Sequence, residues 1–525
     1  MSLNRAISFA AGLLASLSLY GQNASFEYYL STRPLLQSDN AAALSTSTLK
    51  SISDVNASFT KDNGAFIGVD GSKDSWMAKA GGESYTRISD RIVFYGRLSY
   101  SYFSGKEMGG SLLINRDYYP FSFEESTTET LGGKKRELYG LAGAMSYSFN
   151  KAWSLGVRMD YDAGNNVKIK DPRYRSEWML LNLSAGMFYK AGNGLSLGAS
   201  AIYKSTKEKV MTHVYGITGT PYYILIDRGL FFGTHELVEG MNGFLSTSDF
   251  KPATYDFYGA SFQLESAGRT RSYNQIKVLY KTGKYGKGTS SDPIFFEYSG
   301  MEASYDGKLF IEAEKNMHDV HYSLSFASLN NAENSIRYTT PTGQNTIVEY
   351  IGKNPVQQRY DFDANLGYRM VVEADAPRPK MEFGADINAG GRITDVTMYP
   401  YTRKQSVIKA GAKAYYRQNF CLDRNIFTVD ANAGYGMGMG NTLRNDPDPK
   451  KSTLKSQDEY LGRQFEYDTI GRVNVGAGLT YTRLLNDRIS IYINIKDVYT
   501  RALGNTVFLG SPNRNSMVLT IGCTL

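Results

Sequence analysis

The chain has only two cysteines, Cys421 and Cys523, and four histidines in 525 residues. Two thiols are too few for a disulfide framework or for the common four-ligand zinc site. The histidines, His213, His235, His318 and His321, supply little of the usual proton carrier of neutral-pH catalysis. His318 and His321 stand three apart around Asp319, a spacing that sends two rings to opposite faces of a strand and gives no metal pair. No serine sits in a nucleophile elbow, and no glycine loop is built to cradle phosphate. Gly434 to Gly440 alternates four glycines with Tyr435, Met437 and Met439, which is the rhythm of a strand rather than of a nucleotide loop. Catalytic, cofactor and metal residues are therefore assigned to no position, and the chain is expected to be a non-enzyme.

Long apolar runs are also missing. The best one, Ala6 to Leu19, is too short to cross a bilayer, and mean hydropathy is −0.36. A helical membrane protein is excluded, whereas a β-barrel, whose strands are only half apolar, is not. Charge of one sign is equally absent. The 58 Lys and Arg are dispersed among 51 Asp and Glu for a net +7, which carries no nucleic-acid footprint.

What is present is a two-residue rhythm repeated from about Ser75 to Leu525. Trp153, Leu155, Val157, Met159 and Tyr161 alternate with Ser154, Gly156, Arg158, Asp160 and Asp162; Ile489, Ile491, Ile493 and Ile495 alternate with Ser490, Tyr492, Asn494 and Lys496. Successive strand side chains point to opposite faces, so each such segment has one greasy and one wet face. A soluble sandwich alternates too. The connections decide between them: short gaps, such as Ser89 to Arg91, Asn150 to Ala152, Asp306 to Lys308 and Leu484 to Asp487, alternate with long ones. The long gaps are Ser104 to Arg136, Lys207 to Ala253, Thr339 to Gln358, Gly436 to Asp468 and Arg501 to Arg514. Short periplasmic turns and long extracellular loops are the pattern of an outer-membrane barrel. The 52 glycines exceed the usual share of about 7%, and the 40 tyrosines suit interfacial girdles.

The expected fold is thus all-β, a transmembrane antiparallel barrel of about 18 strands, with 16 to 20 open because residues 308 to 350 could hold one strand or three. Residues 1–21, with Arg5 before an apolar run and small residues before Gln22, read as a signal peptide. Residues 22–48 read as a periplasmic lead or a small lumenal hatch, too short for a globular plug, and residues 49–525 as the barrel.

The run Asp39-Asn40-Ala41-Ala42-Ala43-Leu44 resembles the Asn-Pro-Ala type segment of the long-chain fatty-acid transporter barrels, without the proline. Gly105-Lys106-Glu107-Met108-Gly109-Gly110-Ser111 and Tyr118-Tyr119-Pro120-Phe121, between the signal peptide and the strands, resemble an uncharacterised Bacteroidetes outer-membrane barrel family. That resemblance implies the fold and the location and no biochemical activity. The last strand, with Met517, Leu519, Ile521, Cys523 and Leu525 on one face, resembles the signal read by barrel-assembly machinery, although it ends in leucine rather than an aromatic residue.

Two groups of residues are candidates for function. Arg97, Arg158, Asp160, Asp361, Arg369, Glu382, Asp386, Arg472 and Lys496 lie on wet faces, as do Asp162, Asp363, Lys409, Lys413 and Arg488. Against lipid they would be costly, so they are expected to line the lumen, as a lattice of ion pairs or as a path for ions and polar solutes. Their mixed signs predict weak charge selectivity. The loop from Lys207 to Ala253 carries Tyr222, Tyr223, Ile224, Leu225 and Ile226, then Leu230, Phe231 and Phe232, an apolar load unusual for water. Three arrangements fit it: a constriction in the barrel mouth, a hairpin extending two strands, or a pocket for an amphipathic ligand. The expected role is passage or capture of a small or amphipathic solute, with outer-membrane lipid and assembly machinery as partners. A scaffold binding a protein or glycan through its loops is the alternative. An outer-membrane hydrolase is a third class, disfavoured by the scarcity of histidine.

Overall fold

A computed structural model describes residues 25–125, 128–216, 221–238, 243–245, 251–289, 292–340, 342, 347–448 and 450–525. The signal peptide expected over residues 1–21 lies outside the described residues. In chain order the strands are β1 (Ser51–Asn63), β2 (Asp74–Arg87), β3 (Ile92–Met108), β4 (Ser122–Glu125), β5 (Gly132–Ser148), β6 (Trp153–Lys168), β7 (Arg173–Lys190), β8 (Leu195–His213), β9 (Tyr223–Asp227), β10 (Phe232–Leu237) and β11 (Pro252–Ser266). They continue as β12 (Thr270–Gly286), β13 (Ile294–Ala313), β14 (Asn316–Thr339), β15 (Ile347–Val372), β16 (Met381–Met398), β17 (Tyr401–Leu422), β18 (Asn425–Asn445), β19 (Leu454–Ser456), β20 (Arg472–Leu484), β21 (Ser490–Ala502) and β22 (Asn513–Thr524). Two α-helices are described, α1 (Phe26–Ser31) and α2 (Asp458–Thr469).

Eighteen strands form one antiparallel sheet, and β22 pairs with β1 to close it into a barrel. The other four, β4, β9, β10 and β19, form a separate small sheet. The alternation settles which way the wall faces. Trp153, Leu155, Val157, Met159 and Tyr161 are 37 to 54 % exposed, while Ser154 and Asp160 between them are buried. Large apolar side chains on the outside and polar ones within are the inverse of a soluble protein, and stable only where the outside is lipid.

Several boundaries differ from the sequence expectation. The turn expected at Asp306 to Lys308 falls instead between β13 and β14, at Glu314 and Lys315, and Lys308 lies inside β13. The long gap expected from Thr339 to Gln358 is mostly strand, because β14 and β15 run for 24 and 26 residues. Cys421 lies in β17 and Cys523 in β22, and both are free. Arg488 lies in the turn between β20 and β21, not on the lumenal wall.

The residues preceding β1 run along the inner wall. Glu27 pairs with Arg417 of β17, and the Tyr28 hydroxyl donates to the Ala374 carbonyl in the turn after β15. Lys308 of β13 and Arg271 of β12 donate to the carbonyls of Ser31 and Thr32, and Lys277 of β12 pairs with Asp39 at 2.9 Å. Farther on, Asn40 caps a short 3-10 turn over Ala41–Thr46, accepting from the Ala42 N–H at 3.1 Å. The Asn40 amide donates to the Met187 carbonyl at 2.9 Å and to Gln263 at 3.1 Å. Glycines make this seat. A Cβ at Gly156 would stand 2.2 Å from the Ala42 nitrogen, and one at Gly186 would stand 2.4 Å from the Asn40 carboxamide oxygen. Leu36, Ala41 and Leu44 are buried there with Tyr85, Val93, Ala142 and Ala144 of the wall.

Candidate functional site

The small sheet stands at the loop end of the barrel and is assembled from three separate connections. β9 pairs with β10 as a hairpin, β4 pairs with the free edge of β9, and β19 with that of β10. The hairpin turn is tight. Asp227 accepts from the N–H groups of Gly229 (2.8 Å) and Phe232 (3.0 Å), and Gly229, Leu230 and Phe231 all have positive φ. A leucine and a phenylalanine in the left-handed region are strained, and burial of their side chains offsets that strain. Phe231 packs with Leu225, Val69, Tyr460 and Leu461.

Of the expected loop residues, Leu225, Phe231 and Phe232 are buried, with Ile224 and Ile226 beside them. Tyr222 is partly buried against the same core, whereas Tyr223 is 43 % exposed and stacks on His235. Ile224 and Ile226 share a cluster with Tyr119, Phe121 and Phe123 from the first long loop and with Tyr255, Phe257, Tyr285, Phe296 and Tyr298 of β11 to β13. The sheet therefore lies within the mouth, its apolar side against the inner face of the wall. The loop forms a hairpin that is folded into the mouth and does not prolong β8 and β11.

Buried ion pairs tie this lid to the wall on several sides. Glu125 of β4 bonds Lys168 of β6 at 2.5 Å, with both side chains almost fully buried, and Lys134 of β5 lies 3.9 Å away. Arg228 of the hairpin meets Glu333 of β14 through two hydrogen bonds of 2.5 and 2.6 Å. Arg403 of β17, fully buried, bonds Asp446, Asp458 and the Leu230 carbonyl and lies over the Phe232 ring. A more exposed pair, Asp117 of the first loop with Arg392 of β16 at 2.8 Å, adds a further tie. Such pairs contribute less to net stability than to a single geometry, but breaking one leaves a buried charge uncompensated.

Within the lid, Arg116 faces three carboxylates, Glu124 at 3.1 Å, Asp227 at 3.5 Å and Asp70 at 3.9 Å, and lies 3.7 Å over the Phe231 ring. Burial pushes the Glu124 carboxyl up to about 8, with Arg116 opposing the shift and Asp70 and Asp227 adding to it. Burial raises Asp227 as well. Helix α2 completes the cover. Its Tyr460 and Leu461 are buried, and Glu466 accepts from the N–H groups of Val507, Phe508 and Leu509 in the last loop.

Apart from Arg488, the lumenal candidates fall on inward-facing positions of the wall, and most are joined in pairs. Arg158 and Asp160 make two hydrogen bonds of 2.8 and 2.9 Å, and Arg97 lies 3.9 Å from Asp160. Asp361 is held by Arg392 at 2.5 Å and Arg359 at 3.0 Å. Arg369 joins Asp319 (2.7 Å) and Glu382 (3.2 Å), and Asp386 meets His321 at 2.9 Å. Arg472 donates to the Tyr467 carbonyl of α2. Lys496 has no ion pair among the described residues. Sequence reasoning did not find Glu124, Glu125, Arg116, Arg228 and Arg403. They stand in loops or on strands, and nothing local marks the partner each meets.

Barrel, lipid-facing band and folded-in loops define a membrane-spanning β-barrel whose mouth is covered by its own connections. The chain belongs to a family of unknown function, DUF6850, whose model matches residues 41–525. No curated protein matches it. Among solved structures it is similar to the outer membrane transporter YddB from Escherichia coli, at 8% identity and a TM-score of 0.41, over 90% of this chain and 81% of that one. It is also similar to a ferric enterobactin receptor from Pseudomonas aeruginosa, at 9% identity and TM-score 0.41 over 91% and 81% of the two chains. A third is the ferric preacinetobactin receptor BauA from Acinetobacter baumannii, at 7% and 0.38 over 90% and 80%. Likeness at this level carries no argument about what the present chain transports or binds.

Proposed function

We propose that this chain is a non-enzymatic outer-membrane barrel for the passage or capture of a small or amphipathic solute, gated by the folded-in hairpin of Tyr222 to Leu237. With this reading go export by the signal peptide, surrounding outer-membrane lipid, assembly by barrel machinery, a host of Bacteroidetes type and a distant kinship to fatty-acid transporter barrels. The segment from Ser25 to Lys50 serves as the lumenal hatch at the opposite end. The observation that carries the reading is the tie of Arg228 to Glu333. It joins the tip of a loop hairpin to a wall strand more than a hundred residues away, and a cover built only for stability needs no such specific latch. Osmotic swelling of proteoliposomes in isotonic arabinose tests it. Swelling is expected to be faster with Arg228→Ala than with the natural chain, and equal rates for the two, or for protein-free vesicles and the variant, would refute it.

A second reading, a surface scaffold, is favoured by one specific observation. β14 and β15 are more than twice the roughly ten residues that cross a membrane. The hairpin they form exposes Tyr338, Ile347, Tyr350 and Ile351 near its tip. Exposed aromatic and aliphatic side chains beyond the bilayer suit a protein or glycan partner.

A further inference from the structure

The mixed charges of the lumen are not mixed evenly. Most of the inward cations named above are engaged, whereas Lys79 of β2, Lys413 of β17 and Lys496 of β21 make no ion pair or hydrogen bond among the described residues. Lys79 and Lys413 are exposed and Lys496 half-buried, on the inward side of a barrel whose outside is apolar. The nearest acids are occupied. Asp386, opposite Lys413 on β16, turns to His321, and Asp430, two strands from Lys496, is bonded by Arg417 at 2.7 Å. Lys79 stands between Ser58 and Ser101 on the neighbouring strands, with no acid directly beside it.

The register brings the three lysines to one level. Closing the barrel requires lines of constant height to fall by roughly one residue per strand in chain order, relative to the line of paired residues. From Lys413 the pairs run through Gly434 and Asn474 to Thr500, three strands on. Descending about three residues ends beside Lys496. From Lys496 they run through Val518 and Thr60 to Met77, and the same descent ends beside Lys79. Between them several inward positions are small, Gly434 and Gly436 of β18, Gly476 and Gly478 of β20, Thr520 and Gly522 of β22 and Ser58 of β1, with Asn432 reaching over Gly476 and the Tyr492 ring over Gly522. The Arg472 side chain lies within ordinary contact of Gly436, 3.6 Å from where a Cβ would stand. The polar ties named above for the N-terminal segment go to β7, β11, β12, β13 and β17 and its apolar side chains pack on β2, β3 and β5, and none of those named goes to β18, β20, β21 or β22.

We infer that the β17 to β2 side of the lumen is a strip of successive binding points for small polyanions, solutes carrying phosphate or several carboxylate groups, offered in turn by Lys413, Lys496 and Lys79, which stand three strands, on the order of 14 Å, apart. Unpaired ammonium groups on the concave inner wall of a barrel focus their field and attract anions more strongly than the same groups in bulk water. This deepens the passage reading and rests on it.

The test is calorimetric titration of inorganic pyrophosphate into the full chain refolded in detergent, beside the triple variant Lys79→Gln, Lys413→Gln, Lys496→Gln and the charge-preserving triple arginine variant. Heat-modifiable gel migration confirms that each barrel has formed. The natural and arginine chains are expected to bind, more weakly as salt rises, and the glutamine chain to bind at least about tenfold more weakly. Absence of binding to the natural chain, or equal affinity in the glutamine chain, overturns the inference. Sugar swelling with no pyrophosphate binding would keep the passage and remove the anion strip; pyrophosphate binding without any swelling would keep the strip and remove the passage.

Discussion

Glu125→Gln is the sharpest probe of how the lid is held. The substitution keeps the size of the side chain and removes its charge, leaving Lys168 and Lys134 facing each other's charge in a site where all three side chains are almost wholly buried. Removing one member of a buried pair costs about 3 to 5 kcal/mol. The lower figure is appropriate, because Lys134 keeps the carbonyls of Gly109 and Ser111 as acceptors at 2.6 and 3.0 Å. If the loss falls on the closed lid alone, the open population rises by a factor on the order of 100. A cysteine placed at Ile226, which is fully buried between β4 and β10, reports that population through its rate of modification by a maleimide. The exposed native Cys421 serves as reference and Cys523 is replaced by serine. The ratio of the two labelling rates is expected to rise by about two powers of ten in Glu125→Gln. An unchanged ratio would show that the sheet is held without its buried charges, and the reasoning from uncompensated charge would be wrong.

Other expectations follow from the same geometry. Glu124 is buried among Arg116, Asp70 and Asp227, and its carboxyl is raised to about 8 in the closed lid. An exposed glutamate titrates near 4.3. Between those values the closed state holds a proton that the open state has lost, so lid stability is complete below the lower value and falls as pH rises toward the upper one. The Ile226→Cys to Cys421 labelling ratio should therefore rise from pH 5 to pH 8, and a Glu124→Gln chain should show a flatter profile. At the other end, Gly156→Val drives a side chain into the Ala42 backbone, which a Cβ would already approach to 2.2 Å. Overpacking of this kind costs about 1 to 3 kcal/mol. It should expose the bond after Arg33 to trypsin while the barrel stays resistant, and an unchanged digestion pattern would mean that the segment is not seated there.

The barrel was legible because its signal is local: one residue up and the next down, repeated along each strand, needs no knowledge of partners. Where the expectation missed, the sequence offered a misleading turn. Asp306-Gly307-Lys308 has turn composition, yet the glycine is required by the Tyr322 ring, which a Cβ there would meet at 2.1 Å, and Lys308 reaches across to the N-terminal segment. The real turn uses Glu314 at φ 53, a conformation glutamate rarely adopts and sequence does not announce. The candidate site was half visible. The apolar load of residues 222–232 marked a loop that could not remain in water. Its partners, Ser122–Glu125 and Leu454–Ser456, are too short to be recognised as strands, and their pairing spans hundreds of residues. Lumenal charges were found by face, but which stay free depends on cross-strand register, and that is set by barrel closure rather than by any local pattern.

The central claim is that the lid closes a passage rather than capping a solid core. Planar-bilayer conductance in potassium chloride, of the full chain and of a chain with residues 222–238 replaced by a short Gly-Ser link, tests it most directly. Small or absent steps from the full chain and large, stable steps from the shortened one are the expected result. Silence from both, with each barrel shown to be folded by its heat-modifiable migration, would contradict the claim and make the molecule a closed surface scaffold.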